Sequence, residues 1–376
     1  MKLFEREICT LGDVANYNKN RISTQNLNEI NYISTENMLP NREGVTTASA
    51  IPKGKAIEFK EGQTLVSNIR PYFKKIWKAN IDGGCSADVL VFDISEQIDE
   101  TYFYYYLSQD EFFDYIMKGS KGTKMPRGDK QHILRYPFTY PRIEEQEAIA
   151  VTLASMDDKI ELNNRINDNL LQMAQAIYKS WFVDFEPFQE GEFEESELGM
   201  IPKGWKVGKF ENLVTVKYGK DHKKLSDGNI PVYGSGGVMR YVDKALCSSE
   251  SVLIPRKGTL NNVIYVNDPF WSVDTMFFTQ MNYPGIAKFV YFFIKSKDLL
   301  SMNAGSAVPS MTTEILNRLP IIEPPLSIIR EFSELVTPFF IQMNLNNKQS
   351  ENLANTRDAL LPKLMSGEIR VPVEEV

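Results

Sequence analysis

The sequence predicts a mixed α/β (α+β) chain: two globular units, each followed by a long helix, with the two helices paired antiparallel as a coiled coil in a pseudo-twofold internal repeat. Three observations predict it. Ile149, Leu153, Met156, Ile160, Asn163, Asn167, Leu170, Ala174, Ile177 and Trp181 are spaced alternately four and three apart, the heptad seam of helix against helix. A gap-free shift of 183 residues then lays Leu162-Asn163-Asn164-Arg165 on Leu345-Asn346-Asn347-Lys348. It carries the seam onto Phe332, Val336, Phe339, Met343, Asn346, Ser350, Leu353, Arg357, Leu360 and Leu364. Finally, a shift of 186 lays Val66-Ser67-Asn68-Ile69-Arg70 on Val252-Leu253-Ile254-Pro255-Arg256, and Ser86, Asp88 and Phe92 on Ser272, Asp274 and Phe278. Gly119-Ser120 likewise meets Gly305-Ser306, and Met125 meets Met311. Two long copies imply pseudo-twofold duplication, since a solenoid needs shorter and more numerous repeats.

The chain divides accordingly into a first globular part (1–142), a helix (143–184), a connector (185–204), a second globular part (205–322) and a second helix with its tail (323–376). Gln63 to Ile69, Val89 to Ile94, Ser251 to Pro255 and Val263 to Val266 are apolar, partly β-branched runs that read as strands. Tyr102 to Met117 and Ala287 to Leu300 repeat their aromatics at helical spacing and read as buried amphipathic helices. Tyr17 to Ile51, polar and Asn-rich, has no counterpart of similar length and reads as an irregular insertion. Phe185 to Trp205 is acidic and broken by Pro and Gly, the composition of a solvated connector. Gln146 to Val183 would make a helix roughly 57 Å long at ~1.5 Å per residue. The second copy carries Pro338 and Pro362 inside the seam, so a kink or a late start is expected. Asn163 and Asn346 either fix register as buried amides or face solvent at a weakly packed midpoint.

With 376 residues, 43% hydrophobic and 24% charged, the chain has room for two or three ordinary cores. Cys9, Cys85 and Cys247 show no paired spacing, which excludes a disulfide framework or a zinc site and suits reduced thiols in the cytoplasm. The first residues lack the apolar core of a signal peptide, and Phe289 to Ile294 is too short to span a bilayer, so no membrane role is expected. The net charge of −7 is uneven: +1 for 1–142, −11 for 143–200, +6 for 201–322 and −3 for 323–376. Neutral-to-basic globular parts suit phosphate, and acidic helices suit protein partners.

Fragments that invite a catalytic reading lack their context. Asn267-Asp268-Pro269-Phe270 has Asp where a base-gripping amino-methyltransferase motif has Pro, and no Gly-rich loop stands ready for S-adenosylmethionine. Tyr233-Gly234-Ser235-Gly236-Gly237 lacks the Lys-Ser/Thr pair of a nucleotide loop and reads as a tight turn. His132 and His222 have no ligand spacing and read as surface residues. No catalytic, cofactor or metal site is expected.

Taken together, the duplicated unit and its Leu-Asn-Asn helix core resemble the specificity subunit of Type I restriction-modification systems. Ser196-Glu197-Leu198-Gly199-Met200-Ile201-Pro202-Lys203-Gly204-Trp205, Pro231 to Gly237, Gly305 to Met311 and Leu360 to Ile369 look like that family's elements in its order. The resemblance implies a non-catalytic subunit whose two target recognition domains each read half of a bipartite site on double-stranded DNA. The helix pair would set the gap, exceeding the roughly 34 Å of one DNA turn. It would also dock two methyltransferase subunits, with motor-nuclease subunits completing the complex. S-adenosylmethionine, ATP and Mg would then belong to those partners.

Within such readers, base and phosphate chemistry favours Arg70, Lys74, Lys75, Lys121, Lys124 and Arg127 in the first part. In the second it favours Tyr218, Lys220, Lys223, Lys224, Arg240, Arg256 and Lys257. Arg70 and Arg256 stand out because the duplication makes them equivalent. Two other readings stay open: a coiled-coil scaffold, and a free-standing methyltransferase or nuclease with degenerate motifs.

Overall fold

The computed structural model describes residues 6–303 and 309–372 and divides the chain into two compact units. The first is Met1–Asn163 with Asn347–Val376, and the second is Asn164–Asn346. The division falls inside the long helices, so each unit owns part of both.

In the first unit a four-stranded antiparallel sheet runs Ala15–Tyr17, Val89–Ile94, Thr64–Ser67, Ile76–Lys78. The aromatic run above it forms two helices, Glu100–Leu107 and Asp110–Lys118. Asp99 starts the first by accepting from the backbone N–H of Thr101 and Tyr102 at 2.9 and 2.7 Å. Tyr102, Phe103, Phe112, Phe113 and Phe138 are fully buried between helices and sheet. These rings are core.

The stretch expected to be an irregular insertion is largely irregular, yet it is built into a second sheet ordered Arg21–Ser23, Lys55–Phe59, Gly83–Cys85, Tyr32–Ile33. Its asparagines do the joining: Asn37 Nδ2 donates to the carbonyls of Tyr32 and Thr46 at 3.1 and 2.8 Å. Gly83 is needed in that sheet because a Cβ there would lie 2.2 Å from the Asn31 carbonyl oxygen.

The second unit repeats the first sheet in the same order, Val214–Tyr218, Met276–Met281, Ser251–Pro255, Ile264–Val266. Ala287–Lys295 covers it, burying Phe289 and Phe292 beside Phe277. Instead of an insertion, the hairpin Asp227–Gly234 and Gly237–Val242 stands here, closed by Ser235-Gly236 with Gly237 at φ +114. The glycine-rich motif is a tight turn.

The long helices are Ile143–Phe182 and Leu326–Ser366. Within the first unit Asn163 Nδ2 donates to Gln349 Oε1 and Ser350 Oγ at 3.0 and 3.2 Å, and Arg357 pairs with Asp157. Within the second, Asn346 Nδ2 donates to Asn167 Oδ1 at 2.8 Å, and the Trp181 and Phe332 rings lie 6.2 Å apart. Numbers rise on one helix as they fall on the other, so each unit pairs its helical segments antiparallel. Asn163 and Asn346 are both buried and bonded across the seam, which leaves no solvent-facing midpoint at these positions.

Three expectations need correction. The second helix runs unbroken through Pro338 and Pro362. Both prolines are exposed, as are Glu334 and Asp358 one turn back, so the carbonyls that lose an N–H partner face water. The seam is also wider than a strict heptad stripe. Ile149, Leu153, Phe332 and Val336 are fully buried, whereas Met156, Ile160, Leu170, Ile177, Phe339, Met343, Leu353 and Leu360 are half-buried. The seam residues Ala174 and Leu364 are buried near the globular parts, and Tyr178, Phe182, Leu361 and Met365, outside the expected seam, are buried beside them. There a helix meets two neighbours at once: Tyr178 touches Phe332 on the other helix and Phe289 and Phe292 on the aromatic helix. Lastly, the connector contains a hairpin, Phe193–Ser196 with Gly199–Pro202, and Phe185, Ile201 and Trp205 are buried. Its acids face solvent while its rings pack, Trp205 against Phe185 and Phe188 at 5.6 and 5.0 Å.

Candidate nucleic-acid interface

In both units the loop leaving the inner strand of the sheet is stitched to a later segment of chain. In the first, the Arg70 N–H donates to the Pro126 carbonyl at 2.8 Å, and the Gly128 N–H to that of Asn68 at 3.1 Å. Lys121 and Arg127 exchange backbone bonds beside them. In the second, the Met311 N–H donates to the Arg256 carbonyl at 2.8 Å, and the Gly258 N–H to that of Pro309 at 3.1 Å. Arg70 and Arg256 therefore occupy one place in one architecture. The repeated Gly305-Ser306 lies outside the described residues, but its partner has a clear purpose: a Cβ on Gly119 would lie 2.0 Å from His132 Cδ2. His132 is stacked on Tyr115 at 4.2 Å and bonded to the Tyr115 carbonyl, so it is packed rather than a surface residue. His222 is likewise part-buried.

The structure brings Arg70, Lys121, Lys124 and Arg127 to one exposed rim. Lys121 meets Asp129 at 2.9 Å and Arg127 meets Asp88 at 3.1 Å, exposed pairs that hold either cation weakly. The bond from Lys121 leads the effects that hold the Asp129 carboxyl down at about 2. Arg70 and Lys124 carry no ion pair among the described residues. Lys74 and Lys75 are turned to internal tasks. Lys74 Nζ lies 2.9 Å from Asp110, which also binds Arg42. Lys75 Nζ donates to the Thr35 carbonyl at 2.6 Å, and burial, then the Arg70 charge, lowers its pKa.

In the second unit, Tyr218, Lys220, Arg256 and Lys257 surround the turn at Ser272–Thr275. The Lys220 N–H donates to the Ser272 carbonyl at 2.8 Å, and the Arg256 and Lys257 N–H groups donate to Thr275 at 2.8 and 3.2 Å. The Arg256 guanidinium sits 5.3 Å from the centre of the half-exposed Tyr218 ring. Lys223 and Lys224 follow on an exposed loop; these and Lys220 and Lys257 carry no ion pair among the described residues. Arg240 stands apart, held by the Leu225 carbonyl at 2.8 Å and by Asp227 at 3.3 Å.

Two features escaped the sequence reading. Arg42, at φ +66 inside the irregular insertion, shares Asp110 with Lys74, and nothing in its neighbourhood marks it. Tyr72 and Phe73 are exposed on the turn between Arg70 and Lys74, a Pro-Tyr-Phe-Lys-Lys run whose mixture of rings and charge was a readable signal. Among the described residues no cluster of His, Cys, Asp and Glu could hold a metal ion, and no helix is long and apolar enough to cross a membrane.

A family model described as the Type I restriction modification DNA specificity domain matches residues 5–172 and again residues 202–355. The chain belongs to that family. Its two matches fall one on each half of the duplication. The chain is 27% identical to the Type I restriction enzyme MjaIX specificity subunit of Methanocaldococcus jannaschii, over 72% of this chain and 69% of that one. It is 23% identical to the HindI specificity subunit of Haemophilus influenzae, over 96% and 98%. The fold is similar to that of the S subunit of a Type I restriction-modification system from M. genitalium, with a TM-score of 0.59, 16% identity, and coverage of 97% and 98%.

Proposed function

We propose that this chain is the DNA-reading subunit of a Type I restriction-modification complex and performs no chemistry itself. Each globular part reads one half of a bipartite site on double-stranded DNA, and the long helices set the gap between the halves. What carries the reading is that a family named for DNA specificity is matched twice, and that both matched halves present equivalent basic loops, at Arg70 and at Arg256. Arg70, Lys121, Lys124 and Arg127 contact the first half-site, and Tyr218, Lys220, Lys223, Lys224, Arg256 and Lys257 the second.

Two methyltransferase subunits dock on the helical segments, one per unit, and motor-nuclease subunits join the full complex in the cytoplasm. Exposed apolar side chains on those segments support this: Val151 and Leu162 in the first unit, Met173, Leu335, Ile341 and Leu345 in the second. Leu162 and Leu345 are equivalent under the 183-residue shift. S-adenosylmethionine, ATP and Mg belong to the partners.

The test is genome-wide mapping of methylated adenine in cells with the gene intact and deleted. Loss of methylation at one bipartite motif and nowhere else is expected. An unchanged methylation map, with the methyltransferase expressed, would leave the scaffold reading in its place.

A further inference from the structure

We propose that Tyr72 is a stacking probe that enters the duplex at the half-site read by the first unit and unstacks a base step there. The inference rests on the reading subunit proposed above and assigns it a second means of recognition, deformation of the DNA. Tyr72 is 46% exposed and Phe73 37%, on the single turn Pro71–Phe73. Large adjacent rings left half in water on a short turn make an exposed apolar patch of the kind that marks an interaction site, and apolar side chains of this kind can wedge between base steps.

The turn is costly to build and firmly held. Arg70 before it and Lys74 after it both have φ +51, a conformation that side chains other than glycine adopt rarely. Arg42, at φ +66, donates its N–H to the Lys74 carbonyl at 3.1 Å, and Asp110 grips both Arg42 and Lys74 from the adjoining helix. The Lys75 ammonium lies 5.7 Å from the Phe73 ring centre, and Tyr72 leans on Phe73 at 4.7 Å. A rigid support thus carries the outermost ring.

Charge chooses the occupant. Arg70 and Lys124, free of ion pairs among the described residues, flank the turn with Lys121 and Arg127, so the rings project from a rim that attracts phosphate. Met125, 49% exposed on the stitched segment, adds apolar surface to the same rim. In the second unit Lys257, Gly258 and Thr259 follow the equivalent Arg256, so no aromatic residue takes the place of Tyr72 on the loop; the exposed ring beside Arg256, Tyr218, belongs to the strand Val214–Tyr218 instead. A turn-borne ring at this place therefore belongs to the first reader, and the unstacking it causes belongs to the first half-site.

The experiment uses the chain assembled with its methyltransferase subunits and duplexes carrying the mapped motif, with 2-aminopurine replacing one adenine at a time except the methylated adenines, which the methyltransferase subunits extrude themselves. With the wild-type complex, fluorescence is expected to rise at a step in one half-site only. Tyr72→Ala should abolish the rise and weaken binding about tenfold with the salt slope unchanged. Tyr72→Phe should preserve both, and Arg70→Ala should reduce the slope by about one while the rise persists. No rise in either half-site with wild type, or binding by Tyr72→Ala within about twofold of wild type, overturns the probe. Failure of the wild-type complex to bind the mapped duplex at all would instead remove the reading-subunit proposal.

Discussion

A cation's fate is decided by the partner it finds in its own fold. The side chains of Lys223, Lys224, Lys257 and Arg256 form no ion pair among the described residues, so replacing all four by Ala should weaken DNA binding by a similar factor for every sequence tested. The salt slope should fall by about one for each phosphate no longer neutralised, readable from titrations between low and moderate salt. Lys74 is the opposite case, bound to Asp110. Burial pushes the Asp110 carboxyl up, the bonds from Lys74 and Arg42 together outweigh it, and the group titrates below its ordinary range. Its contribution to stability is therefore complete above the unfolded value of about 3.9 and disappears as pH falls through the lower folded value. Asp110→Asn should destabilise the chain at neutral pH, and the gap from wild type should close at acid pH in parallel denaturation curves. The equivalence of Arg70 and Arg256 was legible because duplication is written in the sequence. The diversion of Lys74, Lys75 and Arg240 was not, because Thr35 and Asp110 lie 40 and 36 residues from their cations and a carbonyl acceptor leaves no mark on composition.

The long helices were readable because period and length repeat together. Their exact burial was not, because it depends on a third neighbour: the aromatic helices, which widen the buried face at Tyr178 and Leu361. The connector misled in a related way, since its acids dominate the composition while Phe185, Ile201 and Trp205 decide its packing. Where a helix crosses a globular part, polarity also distinguishes the two units. In the first, Tyr105 OH donates to Asp157 Oδ2 at 2.6 Å while Arg357 grips the same carboxylate. The 183-residue shift turns Asp157 into Phe340 and relates Arg357 to Ala174, so the equivalent place in the second unit is apolar. Asp157 and Arg357 are 33% and 23% exposed, so the pair is screened only partly and breaking it strands a carboxylate against a buried tyrosine. Arg357→Ala should cost about 2 kcal/mol in denaturant unfolding, less than the full penalty of a wholly buried pair. Arg357→Ala with Asp157→Ala should recover part of that loss, and no recovery would mean the arginine acts through packing alone.

At the scale of the whole chain, duplication and compactness agree on where the repeat begins. The second unit spans Asn164 to Asn346, a block of 183 residues, which equals the offset that superimposes the helices. Both of its ends fall between the asparagines of a Leu-Asn-Asn sequence, Asn163-Asn164 and Asn346-Asn347. The exchangeable piece is thus a globular part together with the helical segments that pack on it. A hybrid that imports only 205–322 from a relative parts Phe289 and Phe292 from Tyr178, and Trp205 from Phe182 and Phe185, separating buried rings. A hybrid that imports the counterpart of 164–346 keeps each of those ring pairs within one parent. The block hybrid should melt close to its parents, while the shorter graft should lose several kcal/mol through mismatched ring packing. In cells, the block hybrid should methylate a motif that joins one half-site from each parent, read from the methylation map. Equal stability of the two hybrids would show that the helices serve either globular part alike and that the asparagine boundaries mark no unit of exchange.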